Sequence, residues 1–233
     1  VLVGVGLLTL WAVTLLPETL PLARRNPQSI LAALRGYGQL LRQPRLLAYA
    51  GAGGSFYGAM FAYVAGTPVA YISYHHVSPQ RYGLLFALGI VGIMVANQIN
   101  ARVVRRFGID RLIRFGAVLA SLGGIAAAFN ACCGWGGLWG LVGPLFLFAS
   151  ATGFIVANAI VGALDGYPEK AGSVSALIGA LQYGTGIVGS ACVAYFADGS
   201  PLPMSLTIAG FGVGSLLFAF GLKSNRPQLA TAA

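Results

Sequence analysis

Residues 82–114 read YGLLFALGIVGIMVANQINARVVRRFGIDRLIR: an apolar run long enough to cross a bilayer, followed at once by Arg102, Arg105, Arg106, Arg111 and Arg114. The next apolar run, 112–132, starts inside that basic cluster. A helix needs about 20 mostly apolar residues to cross the hydrocarbon, because every backbone N–H and C=O must be satisfied within the segment. Two such runs joined by arginines read as a transmembrane hairpin with its turn among the head groups. Lys and Arg collect on the cytoplasmic side of membrane proteins, so this turn also sets an orientation.

Working outward from it, complete spans are expected near 46–74, 82–103, 112–132, 138–163, 172–196 and 203–222. Residues 1–16 are apolar but too short for a whole crossing, and they read as the end of a transmembrane helix. They lack the charged leader and small-residue cleavage site of a signal peptide, and without an initiator Met the chain is expected to continue a longer polypeptide. Residues 17–45 form a cytoplasmic connecting loop, residues 46–222 a six-helix bundle and residues 223–233 a cytoplasmic tail. Thirteen of the 14 basic residues fall on one side of this ladder, and only Arg81 falls on the other. Within the loop, Pro17-Glu18-Thr19-Leu20-Pro21 marks a turn. After it, Ile30, Leu31, Leu34 and Leu41 recur at helical spacing beside Arg35 and Arg42, the pattern of a helix lying in the membrane interface.

Composition agrees: 57% of residues are hydrophobic and only 8% charged, whereas a soluble domain carries charge on about a quarter of its residues. The net charge of +9 follows from orientation and contact with anionic lipid, so no nucleic-acid partner is inferred. Cys132, Cys133 and Cys192 have neither disulfide nor metal-ligand spacing. His75 and His76 read as a wet loop pair, with a proton-sensing role as the alternative. All five acids, Glu18, Asp110, Asp165, Glu169 and Asp198, lie at or near helix ends. With no nucleophile-base pair, no ligand set for a metal and no phosphate loop, enzyme chemistry and ATP-driven transport are disfavoured and no cofactor is expected.

Polar groups inside spans cost free energy unless they face protein or water. Asn97, Gln98, Asn100, Asn158 and Gln182 are of this kind, and Tyr49, Phe56, Met60, Tyr63 and Thr67 share a face of the first complete span. They read either as interhelical hydrogen bonds and packing or as the lining of a cavity for an amphipathic organic molecule. Small residues form stripes, Leu85-Gly89-Gly92-Ala96-Asn100 and Ser175-Gly179-Gln182-Gly186-Gly189, along which helices approach closely or one bundle rocks against another.

Leu16-Pro17-Glu18-Thr19-Leu20, Phe61-Ala62-Tyr63 with Thr67-Pro68, and Ser78-Pro79 leading to Leu85-Phe86-Ala87-Leu88 resemble the carboxy-terminal half of a major facilitator superfamily transporter. Asn100-Ala101-Arg102 with Arg105-Arg106-Phe107-Gly108, Asn158 with Gly162-Ala163-Leu164, and Ala171-Gly172-Ser173 leading to Gly179-Ala180-Leu181-Gln182 extend the resemblance in order, towards the bicyclomycin-resistance (Bcr/CflA) drug-efflux group. The resemblance implies an all-α half-bundle of six transmembrane helices, built as two inverted three-helix repeats, in the bacterial inner membrane. It implies proton-coupled efflux of small organic compounds by alternating access, with a same-fold importer or a non-transporting remnant as the alternatives.

By the same resemblance Phe56, Tyr57, Phe61, Tyr63 and Asn158 are cavity residues, Asn97 and Gln182 lie near the interface with the other half, and Gly89, Gly92, Gly179 and Gly186 belong to the gating surface facing it. The implied partners are a small organic substrate, protons, membrane lipid and an amino-terminal six-helix half carrying the proton-binding carboxylate. Two departures stand out. Val156-Ala157 precedes Asn158 where the family carries a proline beside the asparagine, and Arg105 occupies the place of the loop signature's acid.

Overall fold

The computed structural model describes residues 2–15 and 30–222. The turn at 17–21, Arg24, Arg25 and the tail at 223–233 lie outside them. The helices are α1 (Leu2–Leu15), α2 (Ile30–Leu41), α3 (Pro44–Pro68), α4 (Pro79–Phe107), α5 (Ile109–Cys133), α6 (Gly137–Ser150), α7 (Thr152–Leu164), α8 (Ala171–Tyr195) and α9 (Leu202–Phe220). Residues 1–36 form one unit and the remainder a second, the bundle. Near the start of the bundle, Leu40 at the end of α2 is buried and Tyr37 packs against the core.

Local chemistry sets the helix boundaries. Pro44 and Pro79 stand in the first turns of α3 and α4, where a missing N–H costs nothing, and the Ser78 hydroxyl accepts from the Arg81 N–H (3.5 Å). A single residue, Gly108, separates α4 from α5, and its φ of 80° suits glycine alone. Asn130 closes the other end of α5, donating from its amide to the carbonyls of Trp135 and Gly137.

Two irregularities qualify the expected spans. The first span leaves α-helical geometry after Pro68 and runs as a π-helical segment over Val69–Tyr74, since proline can neither donate to the preceding turn nor fit its carbonyl. The fourth span breaks at Ala151 into α6 and α7. The Ala151 N–H bonds both Leu147 and Phe148 carbonyls and its backbone stays helical, so the chain passes directly from α6 into α7. The helix is continuous through Asn158.

Four single helices and the α6–α7 pair, 79–107, 109–133, 137–164, 168–195 and 202–220, are long and apolar enough to cross a membrane. α3 falls outside that group although it is 25 residues long, because glycine, serine and tyrosine replace aliphatic residues along it. Its neighbours explain this: α3 packs against α8, α9 and α7, and little of it needs to meet lipid.

The packing carries an internal symmetry. α3 lies against α8 as α7 lies against α4, and α3 against α9 as α6 lies against α5, with α5–α9 and α3–α7 completing the bundle. Exchanging α3–α5 with α6–α9 maps these contacts onto one another. Each unit makes three crossings, an odd number, so the second starts from the opposite end of the bundle and is inverted. The fold is therefore the all-α half-bundle of two three-helix repeats.

Candidate functional site

Asn158 on α7 donates to Asn100 Oδ1 on α4 (2.7 Å) and to the Phe154 carbonyl (2.9 Å), and both asparagines are buried. Phe56 on α3 is fully buried against Phe148 of α6, ring centroids 5.3 Å apart. Tyr63 stacks on Phe86 of α4 at 5.7 Å, and Thr67 shares a hydrogen bond with Tyr82 (3.3 Å). Phe56, Tyr63 and Asn158 thus have no open face in this bundle; they join α3, α4, α6 and α7 to one another.

Tyr57 and Phe61, one turn apart on α3, are half-buried and meet Tyr183 of α8. The Tyr57–Tyr183 and Phe61–Tyr183 centroids are 5.8 and 6.1 Å apart at 69° and 85°, edge-to-face geometries that aromatic quadrupoles favour. Tyr183 is 60% exposed, so the group stands open on the α3–α8 surface. Tyr183 escaped the sequence reading because nothing local couples it to α3. Its position directly after Gln182 was the available hint.

Gln182 is buried at the junction of α3, α7 and α8, and its Nε2 has no hydrogen-bond partner among the described residues. A Cβ on Gly53, one turn before Tyr57, would stand 3.3 Å from that nitrogen and 3.1 Å from Ala159 Cβ. Beside it, Thr185 of α8 donates to the Gly54 carbonyl of α3 (2.6 Å). Asn97 is exposed on α4, away from this junction.

The small-residue stripes lie elsewhere than the resemblance implied. Gly186 faces the Phe61 ring, and a Cβ on Gly189 would stand 2.0 Å from the Gly58 carbonyl oxygen, so this part of the α8 stripe is spent on contact with α3. Gly89 and Gly92 of α4 are buried against Tyr63 and against Phe146 and Ser150. Of the gating-surface candidates Gly89, Gly92, Gly179 and Gly186, the first two and Gly186 sit inside the bundle, where its own backbones and rings approach closely. Gly179 alone of the four has open space beside it.

A polar cluster stands at the arginine-rich end. Arg45 at the start of α3 pairs with Asp165 after α7 (3.0 Å) and lies over the Tyr49 ring, 5.8 Å from its centroid. The Tyr49 hydroxyl donates to Asp110 Oδ1 at the start of α5 (2.5 Å), and the ring occupies the space that a side chain at Gly162 would need. Arg114 donates to the Ala219 carbonyl (3.2 Å) and to that of Leu222. Together these contacts tie α3, α5, α7 and α9 at one end. Apart from the Arg45–Tyr49 contact, no local pattern announced them, because the partners lie more than 60 residues apart in sequence.

The sequence of this half-bundle has known relatives. The profile of the Major Facilitator Superfamily matches residues 1–190. A bicyclomycin resistance protein homolog of Haemophilus influenzae is 28% identical over 210 residues, 90% of this chain and 52% of that protein. An uncharacterized MFS-type transporter of Bacillus subtilis, YdgK, is 32% identical over 232 residues, 97% of this chain and 56% of its own length. A riboflavin transporter of Brucella anthropi, RfnT, is 27% identical over 138 residues, 58% of this chain and 34% of that protein. The chain spans about half the length of the first two relatives. With the family profile matched over most of its length and the helical half-bundle in place, this chain is a multi-pass membrane protein that belongs to the Major Facilitator Superfamily, a family of transporters and not of enzymes.

Proposed function

We propose that this half-bundle forms one wall of a secondary transporter that exports small organic compounds by alternating access, driven by proton entry. The observation that carries the reading is the open aromatic group Tyr57–Phe61–Tyr183, set in spans whose acids all lie at or near helix ends. Such a surface suits a flat, amphipathic, uncharged or weakly cationic molecule. Gln182 supplies a hydrogen-bonding group beneath it, with its unpartnered nitrogen as the reserve. Resemblance to a bicyclomycin resistance homolog supports export of such compounds.

In this reading the arginine-rich end is cytoplasmic, as the positive-inside rule requires, and the membrane is the bacterial inner membrane. The second wall and the proton-binding carboxylate belong to an amino-terminal half, for which the length of the relatives leaves room. Phe56, Tyr63, Asn100 and Asn158 keep the wall rigid, and Tyr57, Phe61 and Tyr183 meet the substrate. Import by the same fold is the competing reading, and the relative named as a riboflavin transporter carries no direction in its name.

The test is efflux of a planar dye from cells making the full-length protein, with and without a protonophore. Export that stops when the proton gradient collapses is the expected outcome. Accumulation of the dye above its equilibrium level would establish import instead. Replacing Tyr183 by Ala should change the spectrum of exported compounds while membrane insertion stays intact.

A further inference from the structure

The arginine-poor end of the bundle holds a pocket of about 100 Å³ lined by Tyr74, His75, Asn130, Ala131, Gly137 and Pro201. Three parts of the chain meet there: the end of the π-helical segment, the turn from α5 to α6 and the start of α9. The backbone is irregular on every side. His76 has φ of 54°, a left-handed conformation uncommon for a non-glycine residue, and Gly134, Gly136 and Gly137 also have positive φ.

His75 Nε2 is closed off from solvent and has no hydrogen-bond partner among the described residues. Asn130 cannot readily turn its nitrogen to it, because that nitrogen already serves the carbonyls of Trp135 and Gly137. Tyr74 meets the imidazole edge-to-face at 5.0 Å and offers no acceptor along that contact. The cavity has room for water and the polar groups to hold it.

The ionisable groups around His75 are few. On its own segment they are Tyr71, Tyr74 and His76, and α4, packed against that segment, brings Tyr82 against Tyr71. From α5, α6 and α9 the lining residues are Asn130, Ala131, Gly134, Gly137 and Pro201, none of which titrates. Cys132 and Cys133 follow Ala131 and are exposed. In the α8–α9 loop, Asp198 is exposed and accepts from the Ser200 N–H (2.8 Å), and that bond, with the Ser200 hydroxyl, holds its carboxyl below the usual range.

We propose that this pocket is a water-holding proton site, in which His75 Nε2 takes a proton from hydronium and the resulting charge opens the junction between the π-helical segment, the α5–α6 turn and α9. Burial and the neighbouring His76 hold the imidazole below its usual range, so the closed pocket favours the neutral ring. The closed arrangement is therefore fully favoured above the pKa of a free imidazole, about 6.5, and is lost as pH falls below it. With no carboxylate among the described lining residues, the imidazolium is stabilised only by admitting bulk water. The inference does not depend on the direction of transport; orientation decides only which compartment supplies the proton.

The experiment uses the full-length protein in lipid nanodiscs with Ala131→Cys as its sole cysteine. A cationic, membrane-impermeant methanethiosulfonate reports the opening. Rates are divided at each pH by those of a parallel protein whose sole cysteine is the exposed Cys132, which removes the titration of the thiol itself. The normalised rate should rise severalfold as pH is lowered from about 7.5 to about 5. His75→Gln should abolish that rise. His76→Gln, which leaves His75 in place, should move it to higher pH by removing the neighbouring repulsion. A flat profile in the parent protein, a rise that survives His75→Gln, or a midpoint unmoved by His76→Gln each overturns the proposal. Because the readout is accessibility, a failure here is distinguishable from a failure of export.

Discussion

α3 and α4 are consecutive helices of 25 and 29 residues, and the bundle uses them in opposite ways. α3 is clasped by α7, α8 and α9, and more than half of its residues are buried. α4 buries only Gly89, Gly92, Ala96 and Asn100, the four residues along which it meets α6 and α7. Yet α4 is apolar enough to be recognised as a span by composition, while α3 is not. In water the buried helix would be the more hydrophobic one. In lipid, hydrocarbon outside is as apolar as leucine, so close packing selects glycine, alanine and fitted aromatics, and aliphatic side chains go where lipid is. Hydropathy along these two helices measures contact with lipid, and small-residue content measures contact with protein.

The sharpest test of that contrast removes one large side chain from each helix. Phe56→Ala on α3 empties a fully buried site against Phe148 and should cost about 3 kcal/mol, while Met94→Ala on α4, 62% exposed, should leave thermal unfolding of the full-length protein unchanged. Comparable losses from both would mean that α4 is as tightly held as α3.

Overpacking gives the next largest effect. Gly189→Leu forces a side chain against the Gly58 carbonyl of a helix that cannot retreat, and about 2 kcal/mol or more should be lost. Gly153→Leu meets the backbone of Ala96 and Asn97 on α4, which has little behind it and can move aside, so its Tm should fall less. Gly179→Ala, with open space beside it, should be neutral or slightly stabilising through helix propensity. The reverse order of Gly189 and Gly153 in a thermal-shift series would break the comparison.

Asn158→Leu removes the bond that holds α4 to α7. Interhelical hydrogen bonds in membranes average about 0.6 kcal/mol, so a modest destabilisation is expected, and Asn100→Leu in the same background should add little more. A double-mutant cycle checks this, and additive losses would show that the pair is not coupled. Smallest of all is Asp165→Asn at the arginine-rich end. The Arg45–Asp165 pair is exposed at both partners, and about 0.5 kcal/mol or less, fading in high salt, should separate the variant from the parent.

The fold was largely legible in the sequence because a membrane span is a one-dimensional feature. Apolar length, the Ser78-Pro79 start of α4 and the Gly108 link each act within a few residues. The break at Ala151 was not legible, since no proline or glycine occupies that position. The candidate site was legible only in part. Gln182 was visible as a polar residue inside a span and Tyr57 and Phe61 were reached through the family resemblance, but Tyr183 gains meaning only from the arrival of α8 beside α3. Phe56, Tyr63 and Asn158 show the converse. Their residue types suit a cavity as well as a packed core, and only their neighbours distinguish the two.

The one-sided distribution of arginines, the number of spans and the resemblance to a transporter half come from the sequence alone, because lipid solvates each segment independently and leaves its mark on composition. The partition of polar and aromatic residues between the packed interior and the open α3–α8 face was decided by tertiary structure. So were the cluster from Arg45 to Asp110 and the meeting of His75 with the α5–α6 turn. These depend on which faces of distant helices meet, and helical periodicity fixes a face without naming its partner.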